Sequence, residues 1–267
     1  MSANATEEDF ALAGSLVREA GALALAMRSE GLTGKQKTSV SDVVTAADHA
    51  AEKLVLDTLR RLRPEDGILG EEGASHQGTS GRTWVIDPVD GTYNFLSGST
   101  YWCSALALRA DSGPDGADED PRVLLGAIYQ PQEDRLWLGG PGHPATLNGA
   151  ALDPVEDTGL DRLSAGTYLH PTWLTREDVA GPWTRAAAGA ATLRMLGSGS
   201  CDLGSVAAGR LGAWFQHSGP EWDWLPGKAI VEASGGTAAV LEVNGFRWHI
   251  AGPATAVREI QHRLSGT

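Results

Sequence analysis

The chain has 267 residues, of which 42% are hydrophobic and 21% charged, and its formal net charge is −13. This composition is typical of a globular protein with one large or two smaller domains. The acidity argues against nucleic acid or an anionic membrane as a standing partner. The sequence contains no apolar run of about 18 residues, so no membrane-spanning helix is predicted. The two cysteines, Cys103 and Cys201, lie far apart in the sequence, which favours a reducing, cytoplasmic location over a disulfide framework.

The first half of the chain is predicted to combine two helices with several strands. Apolar residues recur at helical spacing from Glu7 to Ser29, and again from Thr45, a potential N-cap, to Arg63. Short apolar runs then predict strands at Ile68–Leu69, Trp84–Ile86, Trp102–Leu108, Val123–Tyr129 and Arg135–Leu138. An acidic segment with Gly and Pro, Asp111–Pro121, predicts an exposed loop.

The second half alternates strands and helices more regularly. We place the boundary near a predicted hairpin at Pro141–Gly149, which divides the chain into halves of residues 1–145 and 146–267. The predicted elements of the second half are strand Leu163–Thr167, a helix from Arg176, strand Thr192–Leu196, helix Ser200–Arg210, strand Ala213–Gln216, helix Asp223–Ser234, hairpin Thr237–Ile250 and helix Ala254–Leu264. This pattern favours an α/β or α+β fold.

The segment Asp87–Thr92, with the sequence Asp-Pro-Val-Asp-Gly-Thr, carries the strongest chemical signal. It places two carboxylates three residues apart after an apolar strand, and Pro88 predicts that the chain turns there. Gly91 can adopt backbone angles closed to other residues, so a ligand can approach closely. Carboxylates bind hard divalent cations, and the amides of Gly91 and Thr92 could face an anion. The segment predicts a site that holds metal beside phosphate.

Three further carboxylates lie at comparable turning points and could complete the metal site. Asp48 lies early in the second predicted helix, Glu71 follows a short strand, and Asp223 lies at a helix start. Each also has an ordinary explanation: a first-turn charge on the helix dipole for Asp48, a solvated loop charge for Glu71 and an N-cap for Asp223. Together with Asp87–Thr92 they favour the metal site. The seven histidines show no metal-ligand spacing, and a site for hard cations does not need them.

Three sequence blocks match a known family in order and spacing. They are Gly70-Glu71-Glu72, the segment Asp87–Thr92, and Trp222-Asp223 followed by Gly227 and Glu232–Gly236, with a weaker fourth block at Lys37–Asp48. With these blocks the chain resembles the inositol monophosphatase family, within the magnesium-dependent, lithium-sensitive phosphatase superfamily. The resemblance implies a layered αβαβα sandwich of the inositol monophosphatase and fructose-1,6-bisphosphatase type, with the active site between its two halves.

The resemblance also implies a metal role for five residues. Glu71, Asp87 and the backbone carbonyl of Val89 would bind one Mg²⁺ ion. Asp87, Asp90 and Asp223 would bind a second, so that Asp87 bridges the pair. A third and weaker ion would rest on Glu71. Paired metals can bind the attacking and leaving oxygens of a phosphate ester.

Further roles implied by the resemblance concern water, phosphate and the third ion. Thr92, together with Asp48, would position and deprotonate the attacking water. The amides of Gly91 and Thr92 would hold phosphate oxygens. Lys37 would lie near the loop of the third ion, although a solvated loop lysine is an alternative for it.

Selection of the substrate is expected to come from the second half. The turn Gly197-Ser198-Gly199-Ser200 opens a helix where relatives contact substrate hydroxyls, although an ordinary turn of small residues is an alternative. Gln216 stands where inositol-specific relatives carry a glutamate, so the charge is missing. Pro226 replaces the usual alanine of its block. Proline is tolerated in the first turn of a helix, so the metal role of Asp223 is expected to survive.

The sequence predicts a magnesium-dependent phosphomonoesterase that acts on a small phosphorylated metabolite, with inositol 1-phosphate as the leading candidate. Histidinol phosphate, fructose 1,6-bisphosphate and 3′-phosphoadenosine 5′-phosphate are alternative substrates. A metal- and phosphate-binding regulatory partner protein is the alternative from another class, since relatives can acquire roles in transcription complexes. A homodimer and inhibition by lithium are implied by the resemblance alone.

Overall fold

The computed structural model describes residues 4–30, 34–36, 43–111 and 121–266, with the backbone alone at 34–36 and 43–45. Its helices are α1 (Glu7–Ser29), α2 (Ala46–Leu62), α3 (Thr92–Ser97), α4 (Glu177–Ala187), α5 (Gly199–Ala207), α6 (Glu221–Ala233) and α7 (Ala254–Ser265). Its strands are β1 (Gly34–Gln36), β2 (Val43–Thr45), β3 (Gly67–Gly70), β4 (Ser75–His76), β5 (Arg82–Asp90), β6 (Cys103–Ala110), β7 (Val123–Gln130), β8 (Arg135–Gly140), β9 (His143–Leu147), β10 (Ala150–Ala151), β11 (Ser164–Thr167), β12 (Thr192–Arg194), β13 (Ala213–His217), β14 (Thr237–Val243) and β15 (Phe246–Gly252).

The larger elements stack as helices, sheet, helices, sheet and helices. One sheet has eight strands in the order β10-β9-β8-β7-β6-β5-β3-β4; α1 and α2 pack on one face of it, and α5 and α6 pack on the other. The same inner helices contact a five-stranded sheet of order β12-β11-β13-β15-β14, whose outer face is covered by α4 and α7. A fully buried tryptophan lies in each of the three main clusters: Trp84, Trp137 and Trp248. The predicted αβαβα sandwich is confirmed.

Helix α1 begins with a capping box, in which Thr6 and Asp9 each accept a hydrogen bond from the other's backbone amide. By length and composition alone this helix could cross a membrane. The sequence alone did not predict a membrane-spanning helix here, because polar residues interrupt the apolar ones and leave no unbroken apolar run. In the structure 44% of the most apolar window is buried, and Leu16 and Val17 lie in the cluster between helix and sheet. The packing is that of a core helix.

Strand β5 extends beyond its predicted end, and the predicted turn at Pro88 is wrong. The strand runs to Asp90 and pairs with β6 through a register shift between Asp87 and Asp90. Pro88 lacks an N–H for the ladder and lies within this bulge, while its carbonyl accepts a hydrogen bond from Ser104 Oγ at 2.6 Å. The chain turns instead at Gly91, whose φ is 91°.

Other differences are shifts of element ends. Strand β12 stops at Arg194, and α5 stops at Ala207, short of their predicted ends. Helix α6 starts two residues earlier than predicted, so Pro226 lies at its sixth position rather than in its first turn, and the helix continues through it. Lys37 lies outside the described residues, as does most of the predicted loop between strands β6 and β7.

Candidate active site

A cleft of about 810 Å³ gathers residues from several elements. Its walls come from the ends of β3 and β5, from β13, and from the first turns of α3, α5 and α6. The predicted site residues that line it are Glu71, Asp87, Val89, Asp90, Gly91, Thr92, Gly197, Ser198, Gly199, Gln216 and Asp223. The fold therefore brings together residues that lie up to 152 positions apart, from Glu71 to Asp223.

Three carboxylates form the tightest cluster in this cleft. Asp87, Asp90 and Asp223 each offer an oxygen atom within 4.8 Å of the others. Residues three apart in a regular strand point to opposite faces, but the bulge in β5 brings Asp87 and Asp90 to the same side. Asp223 reaches them from the first turn of α6. The bulge that the sequence did not predict is thus what makes the predicted pair possible.

The electrostatics of the cluster fit one or more cations. Burial, and then repulsion from Glu71 and Asp90, raise the pKa of Asp87 well above its usual value. Burial, and then the charges of Asp90 and Glu71, do the same for the pKa of Asp223. The buried Oδ1 of Asp87 has no hydrogen-bond partner in the described part of the chain. Several desolvated carboxylates and a bare oxygen are the donor set that a hard metal ion requires.

Glu71 lies at the edge of the cluster, in a loop that a second glutamate holds in place. Its amide donates to the carbonyl of Ile86 at 3.1 Å. The carboxylate of Glu52, in α2, accepts the amides of Glu72 at 2.8 Å and Ala74 at 2.9 Å. Sequence reasoning missed Glu52. The signal was its spacing, because Glu52 lies four residues after Asp48 and therefore on the same face of α2.

Asp48 and Thr92 form a polar pair beside the carboxylates. Asp48 is fully buried, and the hydroxyl of Thr92 lies 3.4 Å from its Oδ1 and 3.1 Å from the carbonyl oxygen of Val89. Thr92 opens α3 directly after Gly91. A Cβ at Gly91 would lie 3.0 Å from the carbonyl oxygen of Gly197, so the left-handed turn also permits close approach of the second half.

Asp90 connects the two halves of the chain. Its Oδ2 accepts hydrogen bonds from Ser198 Oγ at 2.9 Å and from the amide of Ser200 at 2.6 Å. Ser198 is also the N-cap of α5, where its hydroxyl accepts the amide of Cys201. Burial raises the pKa of Asp90, and these hydrogen bonds oppose that shift. Ser198 was predicted to contact substrate; here its hydroxyl is occupied by Asp90.

Sequence reasoning also missed a buried pair near the cleft. Tyr101 donates its hydroxyl hydrogen to Asp202 Oδ1 at 2.7 Å. Burial raises the pKa of Asp202 to about 7, although the hydrogen bond from Tyr101 acts in the opposite direction. His170 lines the cleft as well. No metal spacing marked it in the sequence, because its position depends on the turn that follows β11.

A sequence model of the inositol monophosphatase family matches residues 6–261. The chain belongs to the inositol monophosphatase family. The inositol-1-monophosphatase of Bacillus subtilis (strain 168) is 30% identical over 250 residues, which cover 91% of this chain and 89% of that protein. The Nus factor SuhB of Salmonella typhimurium (strain LT2) is 31% identical over 216 residues, covering 78% and 74%.

Family membership agrees with the fold and with the acidic cluster. The extragenic suppressor protein suhB from Bartonella henselae superimposes with a TM-score of 0.84 at 24% identity, covering 97% of this chain and 98% of that one; this likeness concerns the fold. Inositol monophosphatase family members are metal-dependent phosphatases that act on small phosphorylated substrates. The Asp87, Asp90 and Asp223 cluster is suited to bind the metal.

Proposed function

We propose that this protein is a magnesium-dependent phosphatase that hydrolyses a small phosphate monoester. The proposal depends mainly on the cluster of Asp87, Asp90 and Asp223, whose oxygens lie within 4.8 Å of one another at one end of the cleft. Oxygen ligands alone favour a hard cation such as Mg²⁺ over softer metals. Glu71 and the carbonyl of Val89 extend the donor set, enough for two or three ions.

The proposed reaction uses the chain's own groups to orient water and phosphate. When bound, magnesium supplies positive charge that offsets the charge of the phosphoryl group and makes water more acidic. Thr92 orients the attacking water through its hydroxyl, and buried Asp48 accepts the proton through Thr92, since the two lie 3.4 Å apart. The amides of Gly91 and Thr92 donate to phosphate oxygens. As the bond from the water oxygen to phosphorus forms, the ester P–O bond on the opposite side breaks, and the departing oxygen takes up a proton from solvent to leave as the alcohol.

Inositol 1-phosphate is the first candidate substrate, on the strength of family membership. Histidinol phosphate, fructose 1,6-bisphosphate and 3′-phosphoadenosine 5′-phosphate are the alternatives. Gln216 lines the cleft and can accept a hydrogen bond, but it carries no charge toward ring hydroxyls. Membership alone is the basis for proposing a homodimer and inhibition by lithium, and the two widely separated cysteines are the basis for proposing a cytoplasmic location.

Phosphate release from these esters, with Mg²⁺ and with EDTA, tests the proposal. Asp90→Asn is expected to lower kcat/KM by about 1,000-fold, because a lost metal ligand costs several kcal/mol of transition-state stabilisation. Asp57→Asn, an exposed residue of α2 that pairs with Lys53, is the matched control and should retain the wild-type rate. Folded wild-type protein that releases no phosphate from any ester, or an Asp90→Asn variant with full activity, would contradict it.

A second candidate function rests on the likeness to proteins named Nus factor SuhB. In that case the chain would be a regulatory partner protein that binds metal and phosphate without catalysis. Calorimetry would then record Mg²⁺ and inorganic phosphate binding in wild-type protein that hydrolyses none of the esters. The regulatory role would also survive Asp90→Asn, which removes a proposed metal ligand but keeps the shape of the side chain.

A further inference from the structure

Exposed apolar side chains gather in the lining of the cleft. Within the described ranges, the large hydrophobic residues that are exposed are Leu62, Tyr93, Leu174, Met195 and Leu196. Three of these five, Tyr93, Met195 and Leu196, line this one cleft. Exposed apolar groups scattered singly need no explanation, whereas a contiguous group beside polar residues marks a binding surface. The cleft is therefore lined both by carboxylates and by exposed apolar side chains; we call Asp87, Asp90 and Asp223 its carboxylate end, and Tyr93, Met195 and Leu196 its apolar end.

A second wall of the apolar end is aromatic and firmly supported. Tyr168 and His170 line the cleft with their rings 6.4 Å apart, edge to face. The 3₁₀ turn that follows places Trp173 edge-on against His217 at 5.0 Å and against Phe246 at 5.5 Å. This packing fixes the segment that carries the two rings. The wall is thus formed before any ligand arrives.

Asn94 holds the part of the lining that carries Met195 and Leu196. The Nδ2 atom of Asn94 donates to the carbonyl oxygens of Tyr101 at 2.8 Å and of Leu196 at 2.7 Å. These bonds fix the backbone at Leu196, where the chain enters the left-handed turn at Gly197. The side chains of Met195 and Leu196 remain 48% and 38% exposed. The backbone at Leu196 is thus fixed, while the side chains of Met195 and Leu196 can contact a ligand in the cleft.

We infer that this cleft binds a phosphate monoester whose alcohol carries an aromatic ring, with the ring against Tyr93, Tyr168, His170, Met195 and Leu196. The inference rests on the proposed phosphatase function, since the phosphate would lie against the carboxylates. Within that function it favours a ring-bearing alcohol over inositol 1-phosphate, the candidate that family membership alone suggests. A ring buries apolar area against Met195 and Leu196 and stacks or packs edge-on with the aromatic wall. A polyol in the same place would lose water from its hydroxyls without gaining partners from those two side chains.

The charges that face the cleft favour a ring over a second phosphate. Of the described residues that line the cleft, none is Lys or Arg. A phosphate remote from the metal-binding carboxylates would therefore meet no cation from these walls. A neutral ring needs no cation to offset its charge. Gln216 adds one neutral hydrogen-bonding group for a polar atom on the ring or its linker.

Two measurements on matched ligands test the inference. The first compares kcat/KM for 2-phenylethyl phosphate, glycerol 1-phosphate and inositol 1-phosphate with Mg²⁺. The second is calorimetry with the non-hydrolysable 2-phenylethylphosphonate and ethylphosphonate in the presence of Mg²⁺, which does not depend on turnover. Each is made on wild type, on Leu196→Ala and on Leu62→Ala. Leu62 is a similarly exposed leucine at the end of α2, outside the cleft, and serves as the control.

The ring-bearing ligand is expected to be preferred about tenfold or more in both measurements, and Leu196→Ala is expected to remove about tenfold of that preference. Leu62→Ala should leave it unchanged. Equal or better use of the two hydroxylated esters, or a preference that Leu196→Ala does not alter, would overturn the inference. A phosphonate preference that depends on Leu196, in a protein that hydrolyses no ester, would uphold the ring site and reject the phosphatase.

Discussion

Some side chains at this site interact with more than one neighbour. The carboxylate of Asp90 belongs to the metal cluster, and its Oδ2 accepts from Ser198 and Ser200 of the second half. Ser198 in turn donates to Asp90 and caps α5. The orientation of a carboxylate at a metal site depends on such outer hydrogen bonds. Ser198 therefore positions Asp90, and its predicted contact with the substrate stays a prediction.

Ser198→Ala is expected to lower Mg²⁺ affinity and kcat/KM by about 10- to 100-fold, because Asp90 loses one of its fixed donors. The lost N-cap should also reduce the free energy of unfolding by about 1 kcal/mol. Ser198→Thr keeps the hydroxyl and should restore most of both quantities. Calorimetry with Mg²⁺ and assays below the unfolding temperature give the measurement. A threonine variant as impaired as the alanine variant would contradict this role.

Among single residues, the sequence predicted those site residues that belong to a short local motif. Asp87 and Asp90 are recognisable from six adjacent residues, and Asp223 from its neighbours. Glu52 has only its spacing of four residues from Asp48 as a local signal, and that spacing does not show that it binds the amides of Glu72 and Ala74. Asp202 carries no local pattern, because it meets Tyr101 only when α5 packs beside the cleft. Residues whose partners lie far away in the chain cannot be identified from spacing alone.

At the scale of elements, periodicity predicted the helices well and the strand ends poorly. Helix α1 has its predicted bounds, because three turns or more of amphipathic pattern specify it. Strand β5 does not, since a proline inside a bulge looks in sequence like the end of a strand. The spacing of apolar residues does not show how closely two elements approach each other. Two glycines illustrate this.

Gly126→Ala and Gly14→Ala are expected to change stability in opposite directions. A Cβ at Gly126 in β7 would overlap the carbonyl of Pro226 in α6, so helix and sheet must separate, at a cost of about 1–3 kcal/mol. A Cβ at Gly14 in α1 would meet Leu136 Cδ2 at an ordinary 3.4 Å, and alanine favours the helix by up to about 1 kcal/mol. Urea unfolding measures both; equal effects would refute the packing argument.

For the whole molecule, the acidic cleft links stability to pH and metal. Asp202 has a pKa of about 7 in the fold against an ordinary 3.8, and burial raises the pKa values of Asp87, Asp90 and Asp223 as well. The folded chain therefore binds more protons than the unfolded chain above about pH 4. Its free energy of unfolding must then fall as the pH rises through that window toward about 7.

In EDTA, the free energy of unfolding of the wild-type protein is expected to fall between about pH 5.5 and pH 8. The fall in the Asp202→Asn variant is expected to be smaller than that of the wild type by about 2 kcal/mol. Mg²⁺ should stabilise the wild type more at the higher pH, because its carboxylates must be ionised to bind the metal. Urea unfolding at both pH values, with and without Mg²⁺, is the measurement. A steeper pH dependence in Asp202→Asn than in wild type would contradict the assignment.

The two hydrogen bonds from Asn94 determine which changes the turn before Gly197 can accommodate. The rim that would meet the alcohol lies on residues 168–172 and 195–199, while the carboxylates lie on other elements. New side chains at rim positions other than Ser198, which holds Asp90, can thus change which ester is accepted without displacing the metal. The Asn94 bond to the carbonyl of residue 196 fixes the backbone there. In this chain an exchange of side chain at residue 195 or 196 keeps the backbone carbonyl that accepts from Asn94, whereas an insertion beside residue 196 would displace it.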